Sequence, residues 1–348
     1  MLSLKNKQEI KKIDKSNIRQ SILDFPNQIT KATQIFEKTR IPNYKNINNI
    51  LICGMGASAI SGNIAKNLIK NKISLPFLIN KDVNLPNWVN KNTLCLIISH
   101  SGNTQETIKM AKKAIKIKAK IIIITSDGEL GQLAKKENTP ILKFPFKKPS
   151  RFNIGFSLTF LSLILKKLNL VSSLNLSASV PKLIEINKMF DLSVKTEENV
   201  AKHLAYFIFD HLPVITSTHN LNGITQRLKN QLSENSKNFS YLEEIPEIIH
   251  NSIENKNPWR LKDEIVFLIF ENLKKDNQIE KTIKTLTNIL DKKNIRWQKI
   301  PIFAKAETTK ILSLVCLMDW ISYYLAILNK IDPASIKEIE KAKKQIYE

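Results

Sequence analysis

Short, continuously apolar runs alternate along this chain with longer stretches whose apolar positions recur every three to four residues. Residues 50–53, 76–79, 94–98, 121–125 and 141–144 read as strands, and 59–71, 104–118 and 130–136 as helices between them. A strand that is apolar throughout has both faces buried, so this alternation predicts a parallel sheet covered by helices on each side. Residues 156–168 read as a helix closing this unit. Ahead of it, residues 1–48 look helical, with apolar spacing that runs from Ile22 through Ile35 and Phe36.

A lysine-rich helical connector over 181–208 leads to a second series. Its clearest strands are 214–217, 265–270 and 297–302, with helices at 224–233, 278–292 and 308–328. Pro213-Val214-Ile215-Thr216-Ser217-Thr218 enters a polar loop and a helix much as Ile50-Leu51-Ile52-Cys53 does. The expected organisation is α/β throughout, with an N-terminal helical segment at 1–48. Two tandem units follow, at 49–175 and at 176–348, the second ending in a C-terminal helix. The longest apolar stretch, 311–328, contains Asp319 and reads as a buried core helix rather than a membrane span. The N-terminus has no apolar h-region followed by a cleavage site. Cys53, Cys95 and Cys316 are scattered within apolar runs, which points to a reducing cytoplasm rather than a disulfide or zinc framework.

Glycine use adds chemistry to this outline. The chain has only 8 glycines in 348 residues, and Gly54, Gly56, Gly62 and Gly102 fall in or beside two strand-to-helix loops. One loop is Ser99-His100-Ser101-Gly102-Asn103-Thr104; the other runs Gly54-Met55-Gly56-Ala57-Ser58. Unpaired N–H groups at a helix start, the helix dipole and nearby hydroxyls together make a phosphate cradle. Gly56, Ala57, Ser58, Ser99, Ser101 and Thr104 are the candidate phosphate-binding residues. The formal charge of +23 favours anionic substrates. It does not suggest nucleic acid: only six of the 54 basic residues are arginine, and the lysines are spread over almost every helix.

Tandem α/β units with a Ser-x-Ser-Gly-Asn-Thr loop resemble the sugar isomerase (SIS) fold. Further segments resemble one branch of it, the bifunctional phosphoglucose/phosphomannose isomerase family. These are Gly54 through Gly62, Ser99 through Thr107, Pro149-Ser150-Arg151 with Gly155-Phe156, and Arg227 through Lys237. Later come Glu244-Ile245-Pro246-Glu247 with His250-Asn251, the stretch 312–328, and Asp332-Pro333 with a terminal helix carrying Lys343. The chain departs from the family at Ala57, where glycine is usual, at His100, where tyrosine is common, and at Asn63, where aspartate is common.

The resemblance implies an aldose–ketose isomerase that acts on glucose 6-phosphate, mannose 6-phosphate or both, yielding fructose 6-phosphate through a cis-enediolate. It makes Glu234 the base that moves a proton between C1 and C2, in the motif Gln-Leu-Ser-Glu-Asn. His250 and Lys343 assist ring opening, and Arg151 stabilises the enediolate. The resemblance also implies a homodimer in which His250 reaches the neighbouring subunit's site. No metal or redox cofactor is expected, and neither a nucleic-acid nor a membrane partner. A sugar-phosphate sensor on the same fold would need only the phosphate loops, so the presence of Glu234, His250, Arg151 and Lys343 together favours the enzyme.

Overall fold

The computed structural model describes residues 4, 6–145, 149–254, 261, 263–274 and 276–347. The chain divides into two compact units, one comprising Asp24–Lys182 and the other Met1–Leu23 with Leu183–Glu348. The helical segment anticipated over 1–48 is therefore shared out. Helices α1 (Lys7–Ile13) and α2 (Ile18–Leu23) belong with the carboxyl-terminal half, and α3 (Phe25–Glu37) with the first sheet.

The first unit runs β1 (Asn49–Cys53), α4 (Gly56–Ile69), β2 (Phe77–Asn80), β3 (Thr93–Ser99), α5 (Gln105–Lys116), β4 (Lys120–Thr125), α6 (Gly128–Lys136), β5 (Ile141–Lys143) and α7 (Ile154–Lys167). Its five strands are parallel in the order β2-β1-β3-β4-β5. Alternate strand residues supply two cores. Leu51, Cys53, Cys95, Ile97, Ile121 and Ile123 pack with Ile108, Ala111 and Ala114 of α5 and with Leu130 and Ala134 of α6. On the opposite face Ile52 meets α4 so closely that a Cβ at Gly62 would lie 2.9 Å from its Cγ2. Helices α3 and α7 pack together. There the buried Gln28 donates to Phe152 O at 2.7 Å and accepts from Gly155 N–H at 3.0 Å.

The second unit continues with α8 (Val180–Phe190), α9 (Val200–Ile208), β6 (Leu212–Thr218), α10 (Asn222–Gln231), β7 (Tyr241–Ile245), β8 (Ile265–Phe270), α11 (Asn277–Lys292), β9 (Arg296–Ile300), α12 (Glu307–Leu328) and α13 (Lys337–Tyr347). Its parallel sheet is ordered β7-β6-β8-β9. Strand β7 carries no continuous apolar run, because at the sheet edge its Tyr241-Leu242-Glu243-Glu244 is exposed or half-buried and half acidic. Helix α11 covers one face through Ile283, Leu286 and Leu290.

Helix α12 is long and apolar enough to cross a membrane, yet all of its apolar window is buried inside the protein. Its acid, Asp319, is held by a fork from Arg227 at 3.0 and 2.8 Å and by Gln231 Nε2 at 2.8 Å, all buried. A buried carboxylate with this many donors is satisfied rather than stranded. Helices α1 and α2 join this unit through Asp14 and Arg19. The Asp14 carboxylate accepts the N–H groups of Ile18 and Arg19, and Arg19 makes a two-bond fork with Asp191, both bonds 2.8 Å.

Candidate active site

The 99–104 loop, the candidate phosphate cradle, grows out of β3. All seven residues of that strand are buried, so the first polar positions after it emerge at the carboxyl edge of the sheet. Ser99 Oγ accepts the Gly102 N–H at 3.1 Å and donates to Thr104 Oγ1 at 3.1 Å, curling the loop on itself. Gly102 has φ +75°, and a Cβ there would lie 1.6 Å from Asp127 O, so the turn admits glycine alone. Its carbonyl accepts Leu130 N–H, and Asn103 Oδ1 accepts Glu129 N–H at 3.0 Å, which pins the loop to the start of α6.

Thr104 stands at the N-cap of α5 in extended geometry, but its side chain makes no capping bond. The ordinary N-cap role for this hydroxyl is thus unfilled. Ser101 is exposed and its Oγ accepts the Asn103 N–H at 3.3 Å.

The second loop behaves alike. Helix α4 begins at Gly56 after the apolar N-cap residue Met55, which offers no side-chain cap. Gly56 has φ +51° with open space around it, so backbone conformation, not room, calls for glycine there. Ala57 and Ser58 lie in the first helical turn, not in the loop preceding it. Strands β1 and β3 are neighbours although β2 comes between them in sequence, so the chain reverses its order of addition there. A Cβ on Gly54 would lie 2.8 Å from Ile98 O of β3, so the end of β1 runs close against its neighbour there. Ligands of open parallel sheets collect at such a crevice.

Arg151 belongs to the same unit. It occupies a single 3-10 turn, Ser150–Phe152, opened by Pro149. Its side chain is 3% exposed, with Cζ 5.6 Å above the centre of the Phe152 ring. The turn touches the 99–104 loop directly: His100 Nδ1 lies 2.9 Å from Ser150 O.

Glu234, His250 and Lys343 lie in the second unit. Beyond α10 the helix widens into one π turn, Leu232–Ser236, with Glu234 half-exposed at its middle. Its neighbours anchor it. Asn235 Nδ2 donates to Ser322 Oγ at 2.9 Å, Asn329 Nδ2 donates to Ser236 O at 2.9 Å, and Lys237 bonds both Glu234 O and Ser335 O. π turns recur at functional positions, because the extra residue redirects a side chain without ending the helix. Lys237 also links this turn to the segment leading into α13. Lys343 is exposed on α13, a helix with no buried residue. His250 ends a 3-10 turn, Glu247–His250, and is exposed.

The buried Arg227–Asp319 pair, which ties α10 to α12 ahead of this turn, is not among the pairings read from the sequence. The π turn carries no sequence signal of its own.

The chain is 30% identical over 342 residues to the bifunctional phosphoglucose/phosphomannose isomerase of Caldicellulosiruptor bescii, covering 94% of this chain and 98% of that one. It belongs to the bifunctional phosphoglucose/phosphomannose isomerase family. A second member of the family, from Aquifex aeolicus, is 31% identical over 302 residues, 85% of this chain and 90% of its own. Residues 197–346 match the bacterial phospho-glucose isomerase C-terminal SIS domain, and 43–141 match the SIS domain. A hypothetical protein from Thermus thermophilus shares the fold, with a TM-score of 0.75 at 12% identity over 98% of this chain and 94% of that one. The α/β expectation of two SIS-type units, each with a parallel sheet flanked by helices, is met in this family member.

Proposed function

We propose that the chain interconverts fructose 6-phosphate with both glucose 6-phosphate and mannose 6-phosphate. The observation that carries this reading is the uncapped, hydroxyl-lined cradle of the first unit in a chain that belongs to this family. Ser58, Ser99, Ser101 and Thr104, with the first-turn amides of α4 and α5 around Gly56 and Ala57, hold the phosphate. The charge of a bound phosphate dianion suits these helix N-termini, whose cap residues make no side-chain hydrogen bond.

With the phosphate fixed, His250 and Lys343 pass protons to and from the ring oxygen and the anomeric hydroxyl as the ring opens. Glu234 then takes the C2 proton of the open aldose. The C2–H electron pair becomes the C1=C2 double bond, and negative charge moves onto O1. Arg151 offsets that charge. Glu234 returns its proton to C1, the O2 proton is transferred to O1, and the carbonyl re-forms at C2. Rotation about C2–C3 in the enediolate presents either face of C2 to the same base, which is how one carboxylate serves both epimers. The exposed position of His250 suits a homodimer in which it serves the neighbouring copy. Free, buried thiols at Cys53, Cys95 and Cys316 suit a reducing cytoplasm.

The test is turnover of fructose 6-phosphate by the purified protein, with glucose 6-phosphate and mannose 6-phosphate followed separately. Both products are expected. One product alone would remove the shared-base reading, and binding without turnover would reduce the protein to a sugar-phosphate binder.

A further inference from the structure

We propose that His100 is a positioning residue that couples the phosphate cradle to Arg151. The inference rests on the role given to Arg151 above. His100 is 3% exposed, although it lies between two residues of the cradle. Its carbonyl accepts from Ser126, through Oγ at 2.7 Å and through N–H at 3.4 Å, which fixes its backbone to the end of β4. Its ring meets Phe144 edge-on, with centroids 5.4 Å apart and planes at 85°, and Phe144 in turn stacks on Phe156. The imidazole therefore has a single orientation. In it, Nδ1 lies 2.9 Å from Ser150 O. A carbonyl can only accept, so Nδ1 carries the hydrogen and donates it.

That carbonyl belongs to the peptide group whose nitrogen is Arg151's own. The bond sets the plane of the 150–151 peptide and, with it, the direction in which the Arg151 side chain leaves the backbone. Gln28 holds the other side of the turn by donating to Phe152 O at 2.7 Å. The Arg151 turn is thus clamped at both flanking carbonyls, and one of the clamps is part of the phosphate loop. A guanidinium that must meet charge developing on one oxygen is sensitive to displacements of about 1 Å. A phenol at position 100 would carry its donor at the ring's tip, whereas Nδ1 lies beside Cβ, where it meets a closely packed carbonyl.

The experiment is a double-mutant cycle on steady-state isomerisation, combining His100→Phe with Arg151→Ala. His100→Phe keeps a ring against Phe144 and removes the donor. It is expected to lower kcat roughly tenfold to thirtyfold while KM stays within about twofold, because alignment is lost and phosphate binding is not. His100→Asn puts an amide N–H close to the position of Nδ1 and should recover most of kcat. In the Arg151→Ala background, His100→Phe should change kcat by less than about twofold, since the group it aligned is gone. Equal losses in both backgrounds, or no rescue by Asn, would overturn the proposal and leave His100 as a packing residue. Unchanged kcat in Arg151→Ala would instead remove the assignment of Arg151, and the coupling with it. Should the Phe variant fail to fold, His100→Gln replaces it in the cycle. Its amide donor lies one carbon further out, so the same loss of kcat is expected.

Discussion

The two sheets share one wiring and end in different chemistry. In each, the first strand is central, the second adds on one side and the third on the other, giving β2-β1-β3 and β7-β6-β8. Where β3 ends, Ser99-His100-Ser101-Gly102-Asn103-Thr104 supplies hydroxyls, a left-handed glycine and uncapped helix amides. Where β8 ends, the corresponding loop begins Glu271-Asn272-Leu273-Lys274 and has neither glycine nor hydroxyl. Its Lys274 pairs with Glu307 at 3.5 Å, and Lys310 of α12 donates to Leu273 O at 2.9 Å. A carboxylate at that strand end disfavours an anion there. We propose that the first unit holds the phosphate and that the second supplies the base from the π turn after α10. Duplication of a fold need not duplicate a site.

The largest effect should come from breaking the second half of that division. Glu234→Gln removes the base and keeps the size and hydrogen-bonding reach of the side chain, so turnover should fall about a thousandfold. Affinity for fructose 6-phosphate, measured by calorimetry, should stay within about threefold. Undiminished turnover would remove Glu234 as the base, and a matching loss of affinity would blur the two halves. The complementary change is Gly102→Ala. A Cβ 1.6 Å from Asp127 O at φ +75° forces the loop off its present course. Affinity should fall roughly hundredfold, equivalent to about 2.7 kcal/mol, through the strain and the displaced donors. Binding that survives this substitution would move the phosphate site away from the loop.

Much of this contrast was legible in the sequence, because the first unit states its chemistry locally. Gly102 and the hydroxyls around it follow a strand apolar on both faces, so the strand, the helix start and the cradle can all be read from adjacent residues. The strands at 50–53, 94–98 and 121–125 fall within one residue of β1, β3 and β4 for the same reason. The second unit is built from distant pairs. Asp319 and Arg227 are 92 residues apart, and Asn235 and Ser322 are 87 apart, so nothing near Glu234 announces how its turn is held. Edge strand β7 lacks the apolar run that marks a central strand. The N-terminal helices meet the last half through pairs such as Arg19 with Asp191 and Ile22 O with Asn187, matches that periodicity does not encode.

That last pairing separates the units in a way that acid should expose. Burial raises the Asp191 carboxyl, but the hydrogen bond from Arg19 and the positive charge behind it prevail, with help from Leu192 N–H and Ser193, so its pKa lies below the usual value. A carboxyl depressed in the folded state adds stability that is present above its unfolded pKa, about 3.9, and is lost as pH falls through the folded value. The second unit should therefore weaken below about pH 4 as α1 and α2 lose their tie to Asp191, while the first unit has no part in this bond. Asp191→Asn should cost about 1–2 kcal/mol at pH 7, the worth of a partly exposed, two-bond charge-assisted pair. The difference from the unsubstituted protein should shrink as pH falls below about 3.9, through the depressed pKa of the native carboxyl. Urea unfolding across an acid pH series would measure this, and hydrogen exchange would locate it. A gap that does not change with pH down to acid unfolding would mean that Asp191 acts through packing rather than charge. Loss of protection in the first sheet would mean that the N-terminal helices support both units, and the contrast between them would then lie only in the loops.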